Sequence, residues 1–151
     1  MKPSSNVEDV KSIAQARGEV CLVDTSVWIR ADRRRQKTIQ DRLKALVITG
    51  SAYTCWPVRT ELLIGAKDEK RFQALDEQLS ALPLLSTADD TWRQTAQMGQ
   101  KLARIGQTVP LIDLLISSIA IESSMTLWTV DSDFKRVEAI SELRVNWFGM
   151  Q

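Results

Sequence analysis

Short apolar runs alternate along this chain with longer segments whose apolar residues recur every three or four positions. A short, nearly continuous apolar run is typical of a strand that is buried on both faces of a sheet. Proline cannot donate a hydrogen bond within a sheet, so the run that contains Pro83 predicts an edge strand. The runs predict four to five strands, at 19–23, 52–56, 82–85, 126–130 and 143–148.

The segments between these runs have helical periodicity. Pro57 suits the first turn of one helix, Gly50 can end another in the left-handed conformation, and Gly106 is expected to stop a third. The predicted helices cover 38–48, 57–64, 70–79, 87–106, 111–121 and 134–140. This alternation predicts an α/β fold of three layers, in which helices cover both faces of a central, mostly parallel sheet.

Length and composition fit one domain. The chain has 151 residues, of which 44% are hydrophobic, and this is enough to bury a substantial core. We expect residues 19–151 to form this domain. Residues 1–18 form an N-terminal extension, in which Val7, Val10 and Ile13 are spaced for a short amphipathic helix.

Apolar content also bears on location. No apolar run approaches the roughly 18 residues that span a membrane, and residues 1–18 lack the apolar centre of a secretory signal. We therefore expect a cytoplasmic protein without membrane association. Cys21 and Cys55 lie in apolar runs without a motif spacing, so we expect two buried free thiols.

Five acidic residues stand where apolar runs begin or end. Asp24 follows the first run, Asp131 and Asp133 follow a later one, and Glu61 and Asp113 precede apolar residues near helix starts. Burying a carboxylate costs solvation energy, so several such costs in one small chain indicate that a cation collects them. Sites in open parallel sheets form at the carboxyl ends of the strands. If the two strands concerned are neighbours, Asp24 and Asp131 meet there.

The sequence contains no histidine, so any chemistry must use oxygen ligands and water. Hard divalent cations prefer such ligands, and a partly hydrated ion could activate a water for attack on a phosphodiester. Asp24 and Asp113 are the expected principal ligands, and a carboxylate or a hydroxide on the ion must act as the base. Taken singly, each acid could instead cap a helix or complement its dipole. The prediction that all five acids lie at one edge of the sheet favours a cation site over five separate caps.

Two hydroxyl residues follow Asp24 directly. Thr25 or Ser26 could hold a carboxylate or a water next to the ion. Either could equally be the N-cap of the helix that follows.

Net charge is only +1, but basic residues cluster shortly after Asp24. Such a cluster could neutralise backbone phosphates and steer a polyanion towards the acidic site, although a solvated loop or helix face would look the same. The cluster consists of Arg30, Arg33, Arg34, Arg35 and Lys37.

Tryptophan rings could stack on bases. The chain has five of them, and the apolar patterns around most predict core positions. Trp28 is the best candidate for contact with a nucleic acid.

Four motifs together resemble the PIN-domain nucleases, and most closely their VapC type, the toxin of bacterial toxin-antitoxin pairs. They are Asp-Thr-Ser-Val-Trp from Asp24, Glu-Leu-Leu-Ile-Gly from Glu61, Asp-Leu-Leu-Ile from Asp113 and Thr-Val-Asp-Ser-Asp-Phe from Thr129. The resemblance implies an endoribonuclease that depends on Mg²⁺ or Mn²⁺. Its acidic quartet would be Asp24, Glu61, Asp113 and Asp131, with Asp133 as a supporting acid. It also implies a homodimer and a cognate antitoxin that blocks the acidic pocket.

Other classes with an aspartate after the first strand fit less well. Haloacid-dehalogenase-type phosphatases need a second aspartate where Ser26 stands, and receiver domains need an acidic pair where Leu22 and Val23 stand. A PIN-like module that binds RNA or protein without cleavage is the remaining alternative. Loss of an acid would mark such a module, and none is missing.

Overall fold

The computed structural model describes residues 19–150. Within this range the chain forms five strands and seven helices. The strands are β1 Cys21–Val23, β2 Ala52–Cys55, β3 Leu84–Leu85, β4 Thr126–Trp128 and β5 Val145–Asn146. The helices are α1 Thr25–Ala31, α2 Lys37–Ile48, α3 Trp56–Ile64, α4 Glu69–Ser80, α5 Asp89–Arg104, α6 Leu111–Glu122 and α7 Phe134–Ile140.

The five strands form one sheet in the order β3-β2-β1-β4-β5, and every neighbouring pair is parallel. The central strand β1 pairs with β2 on one side and with β4 on the other. The predicted α/β class, parallel sheet and edge position of β3 are therefore confirmed. Because β1 and β4 are neighbours, the residues that follow them emerge side by side.

Alternate residues of the central strands face two different cores. Leu22 and Leu127 belong to a cluster with helices α3, α5, α6 and α7. Val23 and Trp128 face the opposite cluster, which includes residues of α1 and α2. A strand that is buried on both faces needs apolar residues throughout, which explains the continuous runs in the sequence. The three-layer arrangement follows.

Glycine and proline mark the element ends that the sequence predicts. Gly50 has φ +70° after α2, and Gly106 has φ +72° after α5, so both end helices in the left-handed region. Pro57 lies in the first turn of α3. Cys21 and Cys55 are buried free thiols, and burial raises the pKa of each to about 12, which keeps them protonated.

The tryptophans depart from the core assignment. Trp128 is fully buried, but Trp56 and Trp92 are 53% and 50% exposed. Both stand in the first turn of a helix, a position that can direct a side chain outward; Trp56 follows the apolar run of β2, whereas Trp92 has polar neighbours. Trp28 and Trp147 are partly buried against the core, so the prediction that most tryptophans lie in the core fails only for Trp56 and Trp92.

The predicted N-terminal helix falls within residues 1–18, which lie outside the described part of the chain. The domain boundary at residue 19 therefore stays a prediction. Across 19–150, no helix combines the length and apolar character needed to cross a membrane.

Candidate active site

Asp24 is the most deeply placed of the acids. It follows β1, is 3% exposed, and is the N-cap of α1, where its side chain accepts a hydrogen bond from the Ser26 backbone N–H. Its Oδ2 also accepts from the Ser26 hydroxyl at 2.6 Å and the Thr129 hydroxyl at 2.8 Å. Asp24 itself therefore caps the helix, and Ser26 contacts a carboxylate as expected. No hydrogen bond from the described residues reaches Oδ1 of Asp24, which leaves that oxygen for a ligand.

Thr129 connects the ends of β1 and β4. It is fully buried, its hydroxyl donates to Asp24, and the same oxygen accepts the backbone N–H of Asp131 at 3.0 Å. The Val130 N–H donates to the Ser26 hydroxyl at 3.2 Å. Sequence reasoning did not assign Thr129 a role. The available signal was a hydroxyl residue in an otherwise apolar run, two positions before Asp131.

Glu61 is brought to the same sheet edge by Thr25. The Thr25 hydroxyl, which is 8% exposed, donates to Glu61 Oε1 at 2.9 Å across from α1 to α3. Thr25 therefore holds a carboxylate, one of the two roles considered for it, and it does not cap α1. Glu61 is the one exposed member among the five candidate acids.

Three of the acids form a compact group. One carboxylate oxygen from each of Asp113, Asp131 and Asp133 lies within 4.8 Å of the other two. Asp131 Oδ1 accepts the Asp133 backbone N–H at 2.9 Å, which fixes the turn before α7. Asp133 stands at the N-cap position of α7 but makes no side-chain capping bond. Asp24 and Glu61 do not join this group at that distance. The sequence ranked Asp133 below Asp24 as a ligand, whereas the structure places Asp133 with the other two.

The electrostatics of the group are those of uncompensated negative charge. Burial, and then repulsion from the neighbouring acids with Asp24 first among them, raises the pKa of Asp113 from its ordinary 3.8 to about 7. Burial also raises the pKa of Asp24, against the lowering effect of the hydrogen bonds from Ser26 and Thr129. Carboxylates that resist ionisation in this way are the groups that a cation would stabilise.

The basic cluster lies at the other end of α1. That helix has seven residues and is about 10 Å long, with Asp24 at its start and the basic residues at and beyond its end. Arg30 donates to the Gly149 carbonyl at 3.4 Å, and Lys37 pairs with Asp41 at 3.0 Å. The arginines at 33–35 are exposed. None of the four arginines of the cluster makes a described hydrogen bond or ion pair with an acid of the site.

Comparison with known proteins identifies the architecture. The family model described as PIN domain matches residues 21–140. The chain belongs to the PIN-domain family. The resemblance seen in the sequence motifs is thereby confirmed, and all five acids fall within the matched residues.

Curated relatives align over nearly their whole length. Ribonuclease VapC18 of Mycobacterium tuberculosis is 28% identical over 132 residues, which are 85% of this chain and 94% of the relative. Ribonuclease VapC11 of the same species is 29% identical over 131 residues, or 84% of this chain and 98% of the relative. Among solved structures, VapBC2 from Rickettsia felis bound to a promoter DNA fragment matches with a TM-score of 0.69 at 22% identity. That match covers 84% of this chain and 97% of the other. It shows that the fold is shared.

Proposed function

We propose that this protein is an endoribonuclease that requires Mg²⁺ or Mn²⁺ and cleaves RNA phosphodiester bonds by an activated water, as the toxin of a VapBC-type pair. The observation that carries the proposal is the group of Asp113, Asp131 and Asp133, with one oxygen of each within 4.8 Å of the others. The family, and relatives that are themselves named ribonucleases, support the same reading.

The residues present fit a hard divalent cation. The donor set consists of carboxylate oxygens alone, which suits Mg²⁺ and Mn²⁺, and the pKa of Asp113 is raised first by burial and then by four neighbouring acids. Asp113 and Asp131 would hold the ion, with Asp133 and the free Oδ1 of Asp24 beside them. A bound ion would supply Lewis acidity towards the scissile phosphate and make a water acidic enough to react at neutral pH.

The remaining side chains position the acids and accept protons. Ser26 and Thr129 hold Oδ2 of Asp24, so its carboxylate keeps one orientation. Thr25 holds Oε1 of Glu61, which leaves Oε2 to accept a proton. Glu61 is exposed, so it can take the proton of the attacking water and release it to solvent.

The basic cluster serves as the guide for RNA in this proposal. Its members stand about one short helix from Asp24, a distance suited to phosphates one or two nucleotides away from the cleaved bond. The exposed arginines at 33–35 are the principal contacts, together with Arg30 and Lys37.

An antitoxin protein is the proposed partner, and a second copy of this chain is the proposed dimer mate. A groove of about 1280 Å³ opens beside Glu61 and is lined by Trp28, Leu62, Leu75 and Leu79, among others. Its largely apolar walls next to an acidic side chain suit a peptide that carries apolar residues and one basic group. Solved structures of this fold include a toxin-antitoxin complex from Klebsiella pneumoniae and a member of the VapBC family of toxin-antitoxin systems from Mycobacterium tuberculosis.

Incubation with total cellular RNA tests the activity. We expect cleavage with Mn²⁺, no cleavage in EDTA, and loss of activity in Asp24→Asn and Asp113→Asn. Asp89→Asn is the matched control, because Asp89 is also an acid in the first turn of a helix but lies in α5, outside the acidic group. Cleavage in EDTA, or full activity in both site variants, would reject the mechanism.

A further inference from the structure

Trp56 is an exposed aromatic ring at the sheet edge that carries the acids. It is the residue directly after β2, just as Asp24 directly follows β1. The register pairs Cys21 with Ala52 and Leu22 with Tyr53, so Asp24 is level with Cys55 and Trp56 lies one residue further along. Neighbouring strands are about 4.8 Å apart, which places Trp56 and Asp24 within about one nucleotide of each other at the same edge. At this position Trp56 is 53% exposed.

The ring is held in place from one side. The Arg59 guanidinium lies 4.1 Å from the centroid of the Trp56 ring, one helical turn further along α3. Arg59 is only 7% exposed and is fixed by hydrogen bonds to Asp76 at 3.0 Å and to Ser80 at 2.8 Å. One ring face therefore rests on an ordered cation, and the large exposed fraction must belong mainly to the other face. A ring that is ordered before binding loses little entropy when a ligand stacks on it.

Other tryptophans lack this combination. Trp128 is fully buried in the core. Trp28, the tryptophan that the sequence favoured for contact with a nucleic acid, is partly buried against the core, and so is Trp147, although Lys135 lies 5.7 Å from the Trp147 ring centroid. Trp92 is 50% exposed, but its neighbour Thr91 bonds to Glu122 at the last turn of α6, whereas Asp113 is in the first turn of that helix. Trp92 is therefore at the far end of α6 from the acids.

We propose that Trp56 is a stacking platform for one unpaired base of the RNA substrate, next to the bond that is cleaved. This assignment rests on the proposed ribonuclease function and adds to it a single-stranded substrate and a base-binding position. Stacking tolerates any base because every base has a π-face, so Trp56 would set the position of the strand more than its sequence. The open ring face and the basic cluster would then contact different parts of the strand, one a base and the other phosphates.

The stacking platform is tested with a set of short single-stranded RNAs that each lack the base at one position. Binding is measured by fluorescence anisotropy in EDTA, with Asp113→Asn as the common background so that no RNA is cleaved. We expect one position at which removal of the base weakens binding about tenfold, and we expect Trp56→Leu to weaken binding to the intact RNA by a similar factor. In Trp56→Leu, removal of that base should then have no further effect, because the two losses are the same interaction.

Two further variants make the result specific. Trp56→Phe retains an aromatic ring and should recover part of the affinity. Trp92→Leu removes an equally exposed ring at the other end of the molecule and should bind like the background protein. Thermal melting of each variant checks that the fold is retained.

The proposal is overturned if Trp56→Leu binds intact RNA like the background protein, or if it keeps the same sensitivity to the abasic position. It is also overturned if Trp56→Leu changes only the oligomeric state, since the ring would then be covered by a second copy of the chain. Cleavage of total RNA by the wild type is measured in parallel. If the wild type does not cleave RNA, the ribonuclease function is rejected. If the wild type cleaves RNA and Trp56→Leu cleaves it at the same rate, only the stacking platform is rejected.

Discussion

Neutralising Asp113 should stabilise the metal-free protein. In the folded state the pKa of this carboxyl rises from 3.8 to about 7, mainly because of burial and then because of the surrounding acids. Between these two values the folded protein keeps a proton that the unfolded chain has lost. The free energy of unfolding of the wild type therefore falls as the pH rises through this window, and it is lowest above pH 7. Asparagine in place of Asp113 cannot ionise, so it removes this penalty.

The size of the effect follows from the pKa and from exposure. A rise from 3.8 to about 7 corresponds to roughly 4 kcal/mol for a group shielded from solvent. Asp113 is only partly buried, so screening by water reduces this to roughly 1–2 kcal/mol above pH 7. The carboxylate also complements the N-terminal dipole of α6, but that contribution is only about 0.3–1 kcal/mol. The cost of burial and repulsion is larger than this dipole contribution, so Asp113→Asn should increase the free energy of unfolding.

Thermal melting in EDTA from pH 4 to pH 8.5 measures the difference in stability between Asp113→Asn and the wild type. We expect Asp113→Asn to melt roughly 3–8 °C above the wild type at pH 8 and to match it near pH 4. Asp89→Asn, in the first turn of α5, loses only its dipole interaction and should be equal to or slightly below the wild type at pH 8. Equal melting of Asp113→Asn and the wild type at pH 8 would refute the repulsion argument.

Three more outcomes test other parts of the site. Millimolar Mn²⁺ should raise the melting temperature of the wild type at pH 7.5 and that of Asp113→Asn by much less; an unchanged wild type would contradict a shared cation site. Thr129→Val keeps the volume but removes the hydroxyl that joins Asp24 to Asp131, so RNA cleavage should fall by roughly 10- to 100-fold, while Thr129→Ser keeps most activity. Equal rates for the two variants would remove Thr129 from the site. Alanine at all three arginines of 33–35 should weaken RNA binding and make it less dependent on salt concentration. As the control, alanine at Arg93, Lys101 and Arg104 of α5 should leave RNA binding unchanged.

Most of the fold could be predicted from the sequence because most elements carried a local signal; the short helix α1 is absent from the predicted set. Strands buried on both faces require unbroken apolar runs, and Gly50 and Gly106 occupy left-handed positions that favour glycine. The strand order carried no local signal. That β1 pairs with β4, and so brings Asp24 beside Asp131, is decided by how the helices cover the sheet.

The acids could be predicted, but not which of them lie closest. Asp133 joins Asp113 and Asp131 because the Asp133 N–H bonds to Asp131 Oδ1 and turns the chain back over the site. A sequence does not specify that turn. The predicted strand at 52–56 ended on Trp56, whereas β2 ends at Cys55 and Trp56 begins α3; whether such a residue finishes a strand or begins a helix decides whether its ring is buried or exposed.

The arrangement of acids that would bind a cation lowers the stability of the folded, metal-free protein. Asp24 is buried at a cost in free energy, which is offset in part by hydrogen bonds from Ser26 and Thr129 to a single oxygen, Oδ2. Those bonds fix the carboxylate without balancing its charge, and nothing in the described chain balances Asp113. A protein selected for stability alone would place a basic side chain there. The unbalanced charge is therefore the expected signature of a cation site, and the gain in stability from Asp113→Asn measures the combined cost of burial and repulsion that a bound ion would offset.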